Sequence, residues 1–367
     1  MIINQPNSEE FQKLAHNCLA QAFNLIFEMD KAIFDFGEKA LKEDVWKYSQ
    51  GRLNTAVVLI HQTIESFMKA SICETSPLLL LEGRRKDWPV LPGQDDRDFN
   101  DFYSTPAEAL LRTYAATTKR SLSPDVVDHV EAIRTLRNRI VHGISRTALT
   151  PKKLIEDILD TFLLFEGPDV WWNALLQEFA NHPLADAMGI HFGTQLAEFA
   201  ERLDYVEASV GKAKFDRQFT LNTRARRYIC PFCKLQWDAG VGYGRYPYTW
   251  AFLDKDSEGG PVVICLNCNI ETPVVRKDCW YTACKGSVRF YGEDKDEIFC
   301  LTCGQIQYSG TEAEYVARQE QRRLEEQERV EKYLQEMLAK QTVDGQGSLP
   351  QSDAKKKRNR KKNESKE

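Results

Sequence analysis

Between Ser8 and about Phe165 the apolar residues recur at helical spacing and turn signals are sparse. This spacing predicts a first helix from Ser8 to about Met29. A second begins before Arg52 and runs through AVVLIHQTIESFMKAS, with Ala56, Leu59, Ile60, Thr63, Ile64, Phe67 and Met68 on its inner face. The segment from Pro77 to Tyr103 is polar and irregular, punctuated by Pro89, Pro92 and Gly93, which predicts a long loop. In TPAEALL, Thr105 suits an N-cap, Pro106 the first helical position and Glu108 the returning arm of a capping box. A fourth helix opens after Ser123-Pro124 and ends at Gly143, with Val126, Val130, Ile133, Leu136, Ile140 and the following Ile144 as its apolar stripe. A fifth starts near Thr150-Pro151 and stops before Gly167. Helical character resumes from Asp169 to about Lys214, with breaks expected around Pro183 and Gly193. No strand alternation shows in this half, which reads as all-α.

After about Phe219 glycine, aromatic and β-branched residues rise, and eight cysteines fall into four close pairs. These are Cys230 with Cys233, Cys265 with Cys268, Cys279 with Cys284, and Cys300 with Cys303. Zinc takes four soft ligands in a tetrahedron, and a short Cys-x2-Cys turn aims two thiolates at one ion. Two such turns close the shell with no position left for water, so two structural zinc ions are expected. Sequential pairing (230/233 with 265/268, 279/284 with 300/303) makes two ribbons, and interleaved pairing makes a cross-brace. Sequential pairing is favoured because each half has its own strand-like segments, TWAFL and VVIC in one, SVRFYG and EIFC in the other. Trp237, Tyr243, Tyr246, Tyr248, Trp250, Trp280, Tyr281 and Tyr291 lie around the pairs with Arg226, Arg227, Arg245, Arg276, Lys277 and Arg289. They read either as a stacking surface for single-stranded nucleic acid or as the core of a small domain.

Composition changes this picture little. The chain has 367 residues, 42% of them hydrophobic and 28% charged, which suits a protein with more than one domain. Crowded cysteine pairs suit metal ligation in a reducing, cytoplasmic setting, while Cys18 and Cys73 read as isolated buried thiols. The longest apolar run, Leu78 to Leu81, is far too short for a membrane span, and the N-terminal residues do not read as a secretory signal. A net charge of −5 means that any nucleic-acid surface has to be local. Thr311 to about Lys340 reads as a strongly charged, solvated helix with a thin seam of Leu324, Tyr333, Leu334, Met337 and Leu338. The residues beyond it read as disordered by composition, and Lys355 to Lys362 are basic at seven of eight positions. No Walker A loop, HExxH helix or Gly-x-Ser-x-Gly elbow is present.

The fourth helix carries RNRIVHG, Arg137 to Gly143. Arg134, Arg137 and Arg139 accompany His142 at the last turn, where the helix dipole favours a cation. Asn138 and His142 are four apart and share a face, whereas Arg137 lies about 140° around from His142. One reading is a surface histidine beside solvated arginines. The other is catalytic, since R-N-x3-H at the end of an amphipathic helix resembles the signature of HEPN domains. LNTAVVLIHQTIESFMKAS, with Glu65 and Lys69, is similar to the long second helix of that family, and DFYSTPAEALLRTY to the helix before the signature.

The resemblance covers roughly residues 45 to 145. It implies an N-terminal HEPN-like helical bundle over residues 1–165, within a mainly α chain. A helical connector (166–225), a small β-rich zinc-ribbon domain (226–310), a charged helix (311–342) and a basic tail (343–367) would follow. It further implies a metal-independent endoribonuclease that works as a homodimer, in antiviral defence or a toxin-like role. His142 would be the acid or base for attack of the RNA 2′-hydroxyl, Arg137 would stabilise the phosphorane, and Asn138 would orient phosphate or histidine. The zinc ribbons would recruit RNA, a protein partner or a trigger. The alternative is a non-catalytic HEPN dimerisation scaffold whose ribbons bind nucleic acid or protein.

Overall fold

A computed structural model describes residues 1–35, 42–82, 88–89, 95–118, 122–143, 148–180, 192–241, 246–255, 257–291, 297–308 and scattered helical positions between 317 and 332. It is mainly helical, with small separate sheets. The chain divides into two units, one of residues 1–290 with 299–305 and one of residues 291–298 with 306–367.

The first unit opens with α1 (Ser8–Asp35), longer than its apolar periodicity predicts. Asn7 and Glu10 start it as a reciprocal pair: the Glu10 amide donates to Asn7 Oδ1 and the Asn7 amide to Glu10 Oε2, both at 2.9 Å. After α2 (Lys42–Tyr48), α3 (Gln50–Thr75) lies along α1 and buries Ala56, Ile60, Thr63, Ile64, Phe67 and Met68, the face expected from its spacing. Leu59 of that face is only partly buried. Two short ladders occupy part of the expected loop, a departure from the all-α expectation. β1 (Ile2–Ile3) pairs parallel with β3 (Arg97–Asp98), and β2 (Leu81–Glu82) antiparallel with β4 (Tyr103–Ser104).

α4 (Ala107–Thr117) corrects a second expectation: Pro106 is its N-cap and no side chain caps it. Thr105 is drawn back to the preceding turn, its amide donating to Leu80 O at 2.8 Å, and Glu108 instead faces Arg134. α5 (Pro124–His142) and α6 (Pro151–Phe165) start as expected, on the side chains of Ser123 and Thr150. α7 (Val170–Ala180), α8 (Phe192–Val210) and the short α9 (Lys212–Asp216) follow. α8 starts at Phe192, beside Gly193, while Pro183 lies outside the described residues.

One apolar core runs from Ala15 on α1 through Trp171, Trp172, Phe199 and Phe215 to Trp250, Phe252 and Leu266. The helices, the connector and the first cysteine region therefore share a core. Within it Asp30 is 7% exposed and accepts from Trp46 Nε1 (2.6 Å) and the Tyr205 hydroxyl (2.8 Å), which keeps a buried carboxylate hydrogen-bonded. Cys18 is buried and Cys73 half-buried.

Further along, β5 (Arg227–Tyr228), β6 (Ala251–Asp254), β7 (Val262–Cys265) and β8 (Glu271–Pro273) form an antiparallel sheet in sequence order. α10 (Pro231–Val241) leaves from the first cysteine pair and packs on α8. β9 (Val275–Arg276) pairs antiparallel with β10 (Val288–Tyr291), and β11 (Glu297–Cys300) leads into the last cysteine pair. Considered by itself, the second unit holds β12 (Ile306–Tyr308) and, at its described positions between 317 and 332, helix. Leu324 there is 50% exposed, in keeping with a solvated helix. The rest of the helical seam and the basic tail lie outside the described residues.

Candidate metal centres and the Arg137–His142 site

The eight paired cysteines converge in two groups, Cys230, Cys233, Cys265 and Cys268 in one and Cys279, Cys284, Cys300 and Cys303 in the other. In each group all four sulfurs lie within 4.8 Å of one another. Sequential pairing is therefore the arrangement the chain adopts. Two sulfur–sulfur distances are 3.7 Å (Cys230 to Cys268) and 3.9 Å (Cys233 to Cys265) in the first group. In the second they are 3.8 Å (Cys279 to Cys303) and 3.9 Å (Cys284 to Cys300). A tetrahedron with metal–sulfur bonds near 2.3 Å has edges of about 3.8 Å, so both groups could hold a metal ion.

Two of the four turns repeat one backbone device. In Cys265-Leu266-Asn267-Cys268-Asn269 the Asn269 amide donates to Cys265 O, and in Cys300-Leu301-Thr302-Cys303-Gly304 the Gly304 amide donates to Cys300 O, both at 2.8 Å. The fifth residue must turn left-handed, and Asn269 (φ 57°) and Gly304 (φ 72°) are residue types that tolerate this. The leucine of each turn is buried, anchoring it from below. Amides at Gly286 and Thr302 donate to Cys284 Sγ and Cys300 Sγ at 3.4 Å, which stabilises thiolates. Gly286 is fixed by space: a Cβ there would come within 2.7 Å of Cys300 Sγ and Thr302 Oγ1. Burial, reinforced by the neighbouring thiols of Cys230, Cys233 and Cys268, pushes the Cys265 thiol well above its ordinary range, so a bound cation is what would keep four thiolates together there.

The aromatic residues around the centres divide cleanly. Tyr246 and Trp250 are buried, and Trp237, Tyr248 and Tyr291 are half-buried. Arg227 is paired with Glu207 and stacked 4.1 Å from the Trp250 centroid. Trp280 and Tyr281 stand apart at 45% and 49% exposed. Tyr243 and Arg245 lie outside the described residues.

On α5, Val126, Val130 and Ile133 are buried, Leu136 and Ile140 are partly buried, and Val141 is 49% exposed. The signature therefore sits where the helix emerges from the core. Arg137 and Asn138 are half-buried and joined, Arg137 Nη1 donating to Asn138 Oδ1 at 2.9 Å. His142, the last helical residue, is exposed, and Ile144 lies outside the described residues. Arg134 is committed elsewhere, to Glu131 (2.7 Å) and Glu108 (3.2 Å). Across from the signature, α3 contributes His61, Glu65 and Lys69, with Glu65 4.0 Å from both His61 Nδ1 and Lys69 Nζ. His61 is 7% exposed, and burial holds its pKa below the ordinary histidine value. Glu65 opposes that shift, while the nearby charges of Arg137, Arg134 and Lys69 reinforce it. Sequence reasoning missed His61, because one histidine in an apolar helical stretch reads as core.

Compared with family models, with characterised proteins and with solved structures, the chain matches none. Among the described residues, no helix is long and apolar enough to cross a membrane.

Proposed function

We propose that this protein is a HEPN-type endoribonuclease carrying two structural zinc ions. The observation that carries the first part is the cluster at the exposed end of α5. There Arg137 and Asn138 are joined beside the His61–Glu65–Lys69 group of α3, with His142 facing solvent. Cleavage by internal transfer needs a base for the ribose 2′-hydroxyl, charge to steady the phosphorane and an acid for the leaving 5′-oxygen. The 2′-oxygen forms its bond to phosphorus as the bond to the 5′-oxygen breaks, leaving a 2′,3′-cyclic phosphate and a 5′-hydroxyl. His142 serves as base or acid, Arg137 faces the phosphorane oxygens, and Asn138 holds the guanidinium in place.

One copy of His142 supplies one proton-transfer group, so the reading includes a homodimer in which a second copy brings another. The exposed Val141 beside His142 supports an interface at this end of α5. Zinc is the assigned metal because four thiolates in a closed tetrahedral set are its preferred structural site. A defence or toxin-like role in the cytoplasm belongs to the same proposal and rests on the family resemblance alone.

A second reading has one specific observation in its favour. The exposed Trp280 and Tyr281 beside a closed cysteine centre suit a binding module, and a HEPN-like bundle can serve as a dimerisation scaffold. Incubating the purified protein with total RNA in EDTA and mapping the fragment ends separates the two. Cyclic phosphate and 5′-hydroxyl ends are expected from the nuclease, and intact RNA supports the scaffold.

A further inference from the structure

Between Val275 and Ala283 every residue except Cys279 is exposed, an unusual run for a segment so close to a cysteine centre. Val275 (37%), Trp280 (45%) and Tyr281 (49%) put apolar and aromatic surface into solvent together. Val275 lies opposite Arg289 in the β9–β10 pair, so the two side chains share one face of that ladder. On this face Arg289 is 1% exposed, with its Cζ 5.3 Å from the Trp280 ring centroid. Its Nε and Nη1 have no hydrogen-bond partner among the described residues. A buried guanidinium with unmet donors is costly, and its stacking on Trp280 holds that ring in place as a platform.

The charge along this segment is mainly positive. From 275 to 289 the ionic side chains are Arg276, Lys277, Lys285 and Arg289, against Asp278 alone. Arg226 docks on the same turn, donating to Lys285 O (3.4 Å) and Thr302 Oγ1 (3.2 Å). In a chain of net charge −5 this is a local basic patch. It stays basic even after the two negative charges of a zinc-tetrathiolate centre are counted. Arg276, Lys277 and Lys285 are exposed.

We infer that this face of the second ribbon binds single-stranded RNA. Bases stack on Trp280 and Tyr281, and phosphates meet Arg276, Lys277 and Lys285. Stacking tolerates any base, and exposed cations on either side of the two rings in the chain give the phosphate backbone its counter-charge. The inference rests on the RNA-directed reading above and deepens it by naming the recognition surface. Of the other aromatic residues near the centres, Tyr246 and Trp250 are buried in the core, which sequence alone left open.

The test uses the full zinc-loaded chain and a fluorescent oligouridine, with anisotropy read over a range of salt. His142→Ala serves as the parent, so that cleavage does not intrude on binding. Trp280→Ala with Tyr281→Ala is expected to weaken binding about tenfold or more, and Trp280→Phe to restore much of it. Arg276→Gln with Lys277→Gln is expected to flatten the dependence of log affinity on log salt by about 1.4, two phosphate contacts at about 0.7 each. Metal content of each variant is measured in parallel. Should the aromatic variant lose its metal, the two charge substitutions, both at exposed positions, decide the matter alone. Unchanged affinity and salt slope in folded variants would overturn the inference, as would a parent that binds no RNA. Loss of binding in these variants alongside wild-type protein that never cleaves RNA would leave the surface standing and remove the nuclease reading.

Discussion

In the first cysteine centre all four ligands come from one chain, and Cys230, Cys233 and Cys265 are at most 2% exposed. The Arg137–His142 segment is built the other way. Its apolar stripe is buried at the start of α5 and thins toward the end, so Arg137 and Asn138 are half-buried and His142 stands in solvent. Closed ligand sets of this kind hold a fold together, because a saturated metal has nothing left to offer a substrate. A polar cluster left open at a helix end contributes little to stability. Its chemistry depends on what arrives: a substrate, a second copy, or both. The two regions thus divide the labour, and substitutions in them should fail differently, one through folding and the other through rate.

Metal removal should show the largest effect. Replacing Cys233 or Cys300 with Ser is expected to release one metal equivalent of two, measured by elemental analysis. The losses should be unequal in stability. Asn267 of the first centre donates to Leu196 O on α8 (2.8 Å), and Leu266 belongs to the main helical core. Cys233→Ser should therefore destabilise the helices as well, by roughly several kcal/mol, while Cys300→Ser acts more locally. Full folding without metal would show that the cysteine centres do not hold the fold together. Gly286→Ala is a milder probe of the second centre, since its Cβ would press on Cys300 Sγ and Thr302 Oγ1; release of the second metal with the first retained is expected.

Acid should loosen α5 itself. His129 Nε2 lies 2.8 Å from Thr161 Oγ1 on α6, and burial lowers its pKa from 6.5 to about 4, with Asp160 opposing and Lys153 and Lys214 reinforcing the shift. The folded state therefore prefers neutral imidazole. Its contribution is complete above the unfolded value of 6.5 and is lost as pH falls from there toward 4. The expected loss is roughly 3 kcal/mol over that window. Urea midpoints at either end should differ in the wild type and less so in His129→Gln, where the titrating group is gone. Arg134→Ala should matter least, by about 1 kcal/mol or less, because its partners Glu108 and Glu131 are largely exposed.

What was legible in the sequence follows the same division. Local rules found α3's inner face, the helix starts at Ser123-Pro124 and Thr150-Pro151 and the sequential pairing of cysteines, because each depends on neighbours in the chain. Thr105 satisfied the capping rule and still failed, since a tertiary bond to Leu80 claimed its backbone. The Cys230-Pro-Phe-Cys233 turn leads into α10, which a strand-based reading of ribbons does not anticipate. His61 was invisible as a candidate because its approach to Arg137 joins residues of two helices far apart in the chain.

Cleavage of a labelled single-stranded RNA by wild type and His142→Ala, in EDTA, decides whether the cluster at the end of α5 acts on RNA. His142 is exposed at a helix end, so its loss should leave folding, metal content and dimerisation intact. Removal of an acid–base group is expected to slow cleavage by about 10²–10⁴. Arg137→Ala should be similarly damaging and Arg134→Ala much less so, which separates the signature from general charge. Short-term cleavage by the wild type should proceed in EDTA and yield cyclic phosphate ends. Cleavage that persists in His142→Ala, or that requires added magnesium, would contradict the assignment and leave a zinc-binding module on a helical scaffold.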